Sequence, residues 1–202
     1  MLSHNPLPRW SSLLKSLTPN DSQVSVSNIW CKENEISGWF SRSSWSMVRI
    51  AMWRQAQGNS KRITAWLPDY FCNISTLPLR AIGIEIVFYP ITHQLQPDYK
   101  TCRQIAQTRP VDLFVLVHFF GTPIPSALAK EFCSRFNAWL IEDAAHALRP
   151  VSGIGKSGDF VLYSQHKIFA IPDGALLVVK PKGPSRFGNN IIDQFGDPTE
   201  WA

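Results

Sequence analysis

Apolar residues fall along the chain in two patterns. Short runs at Ile63 to Leu67, Ile84 to Tyr89, Asp112 to Val117, Ala138 to Ile141, Phe160 to Tyr163 and Ala175 to Val179 have the length of buried strands. Between them the spacing is helical. Ile74 to Ile82 reads as a helix that Pro78 kinks unless it lies in the first turns, and Gly83 ends it. Tyr99 to Gln107 reads as a second helix. In a third, Leu128, Phe132 and Phe136 repeat every four residues with Ala129 and Cys133 beside them. Ahead of these, within residues 39–57, Trp45, Met47, Val48, Ala51 and Met52 share one helical face, with Ser43 or Ser44 placed as the N-cap. Strands alternating with helices predict right-handed βαβ units and a parallel sheet covered on both faces. Tyr163 and Ala175 lie too close for a parallel crossover, so the last strand is expected to run antiparallel.

The ends of the chain are weakly patterned. Residues 1–38, rich in Ser, Asn and Pro, read as a surface segment with a short helix from Trp10 to Leu17. Residues 39–185 read as the one domain and 186–202 as a tail. The length of 202 residues suits a single domain, and 45% hydrophobic with 17% charged residues is ordinary globular material. The net charge of +5 is mild and its Lys and Arg are scattered, which excludes a nucleic-acid stripe. The four cysteines form neither a CxxC pair nor a Cys/His cluster of zinc spacing, so no metal is expected and a reducing cytoplasm is the expected compartment. MLSHNPLPRW lacks the apolar core of a secretory signal, and no apolar run reaches the ~18 residues of a membrane span.

Candidate chemistry lies at the ends of the later strands. Glu142, Asp143 and His146 follow one apolar run; Ser164, His166 and Lys167 follow the next. In a parallel sheet the carboxyl ends of the strands open onto one crevice, so Asp143 and Lys167 could face a common pocket. Three local matches fail on context. Gly153, Gly155 and Gly158 spell GxGxxG, but Arg149-Pro150 precedes the loop and a strand follows it. Gly155-Lys156-Ser157 lacks the first glycine of a P-loop, which would fall at Pro150. Ser164 and Lys167 form SxxK without the SDN-like and KTG-like elements of the serine acyl enzymes, and that reading stays as a weak rival. Asp143 and Lys167 are then either surface charges, with or without a salt bridge, or the acid and the lysine of a pyridoxal 5'-phosphate (PLP) site. PLP needs a lysine for its Schiff base, a carboxylate for its pyridinium nitrogen and phosphate donors, which Ser43, Ser44 and Ser164 could supply. At Ser43 and Ser44 the local sequence by itself favours a plain helix cap over a phosphate site.

Several blocks in register resemble one family. LIEDAAHALRP, GKSGDFVLYSQHK and PDGALLVV, with LPDYFCNISTLPLRAIGIEIVFYPI and VLVHFFGTP upstream, look like the DegT/DnrJ/EryC1/StrS family of PLP-dependent sugar aminotransferases over residues 39 to 180 or so. The resemblance implies a three-layer α/β/α sandwich on a mainly parallel mixed sheet, the large domain of the PLP-dependent transferase fold type I. It makes Lys167 the Schiff-base lysine, Asp143 the partner of the pyridinium nitrogen, and His146 the residue near the ring hydroxyl. Ser164 and the Ser43–Ser44 amides contact the phosphate; His118 and Gly121 match a block without assigned chemistry. It implies a homodimer that moves an amino group from a donor such as glutamate to a nucleotide-linked keto-sugar.

The departures are specific. The family has more residues between the positions of Ser164 and Lys167. Its Gly-Gly is Asp173-Gly174-Ala175 here, and its EDAA block ends in Leu148-Arg149. The aromatic that covers the ring falls at Cys72, beside Tyr70 and Phe71. The family's C-terminal small domain is expected to be absent. The alternative to an active aminotransferase is a truncated or degenerate homologue that keeps the fold but needs a partner or has lost activity.

Overall fold

A computed structural model describes residues 26–58, 62–181 and 183–184. The expected helix at Trp10 to Leu17 and the expected tail at 186–202 lie outside them. A seven-stranded mixed sheet is built from β1 (Ile36–Phe40), β2 (Thr64–Pro68), β3 (Glu85–Tyr89), β4 (Leu113–Val117), β5 (Trp139–Asp143), β6 (Phe160–Tyr163) and β7 (Ala175–Val179), in the order β1-β7-β6-β5-β4-β2-β3. β7 is antiparallel to both of its neighbours, as the short connection from Tyr163 predicts, and the remaining pairs are parallel.

The helices are α1 (Ser43–Gln57), α2 (Asn73–Ala81), α3 (Tyr99–Ile105) and α4 (Ala127–Arg135). Every residue of β2, β4, β5, β6 and β7 is buried, because layers cover the sheet on both faces. On one face Met47, Val48, Ile50, Ala51 and Trp53 of α1 and Leu79 of α2 pack on Leu113, Val115, Val117, Trp139 and Ile141. Burying each large side chain of that set contributes roughly 1.5–3 kcal/mol. On the other face Cys102 of α3 and Ala129, Phe132 and Cys133 of α4 meet Trp66, Phe114, Leu116 and Leu140. Beyond them Trp30, Ala144, Ala147 and Ile154 cover Val161, Tyr163, Leu176 and Val178. The result is the three-layer sandwich.

Two helices hand the chain to the next strand through the same motif. After α2, Gly83 takes φ +80° while Ile84 N–H donates to Leu79 O at 3.1 Å and Gly83 N–H to Arg80 O at 3.0 Å. After α4, Asn137 takes φ +54° and Ala138 N–H donates to Cys133 O at 2.8 Å. A left-handed residue followed by this bond ends the helix and satisfies its last carbonyls.

Four expectations need correction. β1 was read as part of the surface segment; Ser37 and Gly38 interrupt its apolar run, and as an edge strand it leaves Ile36 and Trp39 partly exposed. Arg42, not Ser43 or Ser44, is the N-cap of α1, and the two serines are its first helical residues. Leu128 is exposed because the buried stripe of α4 runs through Ala129, Phe132 and Cys133. Glu142 and Asp143 belong to β5 rather than to the loop after it.

Candidate active site

β4, β5 and β6 run parallel, so their carboxyl ends share one edge, with Val117 opposite Asp143 and Asp143 opposite Leu162. A pocket of about 270 Å³ opens there. Asp143 and His146 enter its wall from β5 and the turn after it, and Lys167 from the short 3₁₀ turn Gln165–Lys167 that follows β6. Ser43 and Met47 line it from the first turns of α1. Tyr70, Phe71 and Cys72, between β2 and α2, form another side with Ser75. Val117, Phe119 and Phe120 add an apolar wall.

Asp143 is almost wholly buried. Its Oδ1 accepts the Ala145 N–H at 2.9 Å, which holds the carboxylate in place, while no hydrogen bond among the described residues occupies Oδ2. His146 accepts the Phe120 N–H on Nδ1 at 3.2 Å, and its ring lies within 12° of parallel to that of Phe120. Burial, then the positive charge of Lys167, depress the His146 pKa, against a smaller opposing pull from Asp143, so the imidazole is neutral at pH 7. Cys72 caps α2, and hydrogen bonding from the backbone at Ser75 lowers its thiol pKa against the effect of burial, with a contribution from the Lys167 charge.

The neighbouring carboxylate has a different task. Glu142 is fully buried and accepts hydrogen bonds from His118 Nε2 at 2.8 Å, from Gly155 N–H at 2.7 Å, and from Ser157 and Gly158 N–H at 3.0 and 2.6 Å. Ile124 N–H donates to His118 Nδ1 at 3.0 Å, which leaves the imidazole proton on Nε2, facing the carboxylate. Burial alone would raise the Glu142 pKa; the donors outweigh it and the pKa is lowered. The GxGxxG loop therefore wraps a carboxylate of its own chain.

Of the residues singled out from sequence, Ser43, Asp143, His146 and Lys167 meet at the pocket. Ser44 and Ser164 are buried and lie off its wall. The Ser164 Oγ and both polar atoms of the Gln165 side chain have no hydrogen-bond partner among the described residues. Ser164 is only 1% exposed, which counts against the SxxK reading. Ser75 and Phe120 were not foreseen.

The wall thus combines a carboxylate, an amine, a neutral imidazole, an aromatic side and the N-termini of α1 and α2. This set suits a flat nitrogen heterocycle bearing an electrophilic carbon and an anionic group. The carboxylate matches the ring nitrogen, the amine the carbon, and the helix N-termini the anion.

Solved structures share this fold. DesI, solved in the presence of its TDP-sugar product, superposes with a TM-score of 0.61 at 22% identity over 78% of this chain and 39% of its own. A DegT DnrJ EryC1 StrS aminotransferase from Brucella abortus gives 0.58 at 15% identity, over 72% of this chain and 42% of its own. The E. coli GDP-4-keto-6-deoxy-D-mannose-3-dehydratase with bound hydrated PLP gives 0.61 at 14% identity, over 84% and 46%. The fold is that of the PLP-dependent aminotransferases. The chain spans less than half the length of these neighbours. No protein-family model matches the sequence, and no curated protein matches it. Among the described residues no helix is long and apolar enough to cross a membrane, and no group of His, Cys, Asp and Glu could hold a metal ion.

Proposed function

We propose that this chain is the PLP-binding part of an aminotransferase that passes an amino group from a small donor such as glutamate to a nucleotide-linked keto-sugar. The observation that carries the reading is the meeting of Asp143 and Lys167 on one pocket at the ends of β5 and β6. Bound there, PLP supplies an electron sink for the carbon that bears the migrating amine. Asp143, fixed by Ala145 N–H, keeps a proton on the ring nitrogen. Lys167 would hold the cofactor through its aldehyde carbon and, once freed by the donor amine, would carry the proton from the donor's amine-bearing carbon. Ser43 and the N-terminus of α1, on the pocket wall, would hold the phosphate. Tyr70, Phe71 and Cys72 would flank the ring. A volume of about 270 Å³ is just under the ~300–1,000 Å³ of typical ligand sites, enough for the cofactor but not for a nucleotide-sugar as well. The sugar is therefore assigned to the mouth, where Tyr70 and Phe120 are 63% and 70% exposed. The working unit of this reading is a cytoplasmic homodimer.

A second reading, a homologue that keeps the fold without the activity, draws on Ser164. Its hydroxyl lies off the wall, which leaves Ser43 as the one foreseen phosphate serine on it. The test is the absorption spectrum of the chain with added PLP, before and after borohydride, with peptide mass analysis, alongside Lys167→Ala and Asp143→Asn. A visible band that borohydride fixes as a covalent modification of Lys167, and that is lost in Lys167→Ala, is the expected result. An unaltered spectrum of free PLP would hand the lead to the second reading.

A further inference from the structure

We infer that the backbone amide of Phe120 locks His146 in its neutral Nε2–H tautomer, so that the pocket meets a hydrogen-bond donor, not an acceptor, at this position. Phe120 N–H donates to Nδ1 at 3.2 Å, so Nδ1 carries no proton and the ring's one proton sits on Nε2. The charged groups that act on the ring are Lys167, which discourages a second proton, and Asp143, which favours one to a lesser degree.

The donor amide is held by a strained turn. Phe120 takes φ 56° and ψ 23°, a left-handed conformation that is strained for a bulky side chain. The surrounding bonds enforce it: Gly121 N–H to His118 O at 3.1 Å and Thr122 N–H to Phe119 O at 3.0 Å. His118 is itself clamped by Glu142 and Ile124 N–H. Gly121 follows at φ +74°, so close to the His146 carbonyl that a Cβ there would lie 2.8 Å from its oxygen. A connected set of contacts thus runs from the buried Glu142 through His118 and the turn to His146. Strain kept where a backbone N–H addresses a pocket imidazole marks a positioning device, and Phe120 and Gly121 are positioning residues. The ligand group that suits Nε2–H is an anionic oxygen. Resting on the PLP reading above, it is the ring hydroxylate, which the family resemblance already sets beside His146; the lock by Phe120 is the new element.

The lock is tested on the ligand-free chain by nitrogen-15 NMR. A scalar coupling across the hydrogen bond between Phe120 N and His146 Nδ1 is expected, with the Phe120 amide protected from solvent exchange although its side chain is exposed. Gly121→Ala should abolish the coupling while the folded spectrum persists. Absence of the coupling in the folded wild type, with rapid exchange of that amide, would overturn the lock. Affinity for PLP is then compared with that for its 3-deoxy analogue. A preference for PLP of about tenfold is expected, lost in His146→Leu. Equal binding of both by the wild type would overturn the donor role. If neither ligand binds while the coupling is present, the PLP reading fails and the lock stands.

Discussion

Glu142 and Asp143 are consecutive residues of β5 whose carboxylates go to opposite faces of the sheet, one into a closed cage of donors and the other to the pocket wall. The two-residue period of a strand separates two like charges that would otherwise repel. It also separates their tasks. Every donor around Glu142 comes from this chain, so its charge is used up in holding the fold. Asp143 spends one oxygen on Ala145 N–H and keeps the other available.

The two carboxylates should therefore respond differently to the same conservative change. Glu142→Gln places an amide NH₂ among groups that are all donors, and is expected to destabilise the chain by about 2–4 kcal/mol. Asp143→Asn keeps an oxygen for Ala145 N–H and should cost less than about 1 kcal/mol. Urea denaturation of both variants decides. Equal losses, or a larger loss at Asp143, would contradict the division of tasks.

Two glycines separate backbone strain from crowding. Gly83 has φ +80° with nothing within 4 Å of a Cβ placed there, so Gly83→Ala should cost only the left-handed penalty, about 1–2 kcal/mol. Gly121 combines φ +74° with a backbone oxygen at 2.8 Å, and Gly121→Ala should cost about 2–4 kcal/mol. A Gly121→Ala variant no less stable than Gly83→Ala would show that the turn yields to the added methyl.

How much of this was legible in the sequence depended on how local the determinants were. β6 and β7 match their expected bounds, because four- and five-residue apolar runs buried on both faces carry their own signal. β1 was missed since its place at the sheet edge comes from pairing with β7, a partner far along the chain. The meeting of Asp143, His146 and Lys167 was legible because parallel strands bring their ends to one edge, whatever the loops do. The offset of Ser164 was not legible: only the path of the Gln165–Lys167 turn decides which side chain reaches the wall. The partnership of Glu142 with the Gly153–Gly158 loop was equally hidden, since glycines bring backbone donors that leave no residue type to read.

Acid should destabilise the folded chain earlier than carboxylates alone would allow. Burial lowers the His146 and His166 pKa values from 6.5, and hydrogen bonding lowers that of Glu142 from 4.5. For such groups the unfolded state takes up protons first, so their contribution is present above the unfolded pKa and is lost as pH falls towards the folded one. The urea midpoint should decline from pH 7 to 5 as the histidines act, and further below 4.5 as Glu142 joins them. At the other end burial pushes Cys102 from 9.0 up to about 12, so stability present below pH 9 is lost across that interval. A midpoint constant between pH 7 and 5 would mean that both histidines are as solvated when folded as when unfolded.

The four thiols offer a direct view of the pocket. Cys72 is exposed, caps α2 and has its pKa lowered, whereas burial raises that of the half-buried Cys31, and Cys102 and Cys133 are buried in the core. Since the thiolate is the reactive species, a disulfide reagent such as DTNB should modify Cys72 first and Cys31 slowly, and reach the other two only on unfolding. Cys72→Ser should remove the fast phase and nothing else. Because Cys72 shares the pocket wall with Lys167, added PLP should slow the fast phase in the wild type and leave it unchanged in Lys167→Ala. Protection that survives in Lys167→Ala would place PLP in the pocket without the covalent link. A fast phase indifferent to PLP in the wild type would place the cofactor elsewhere.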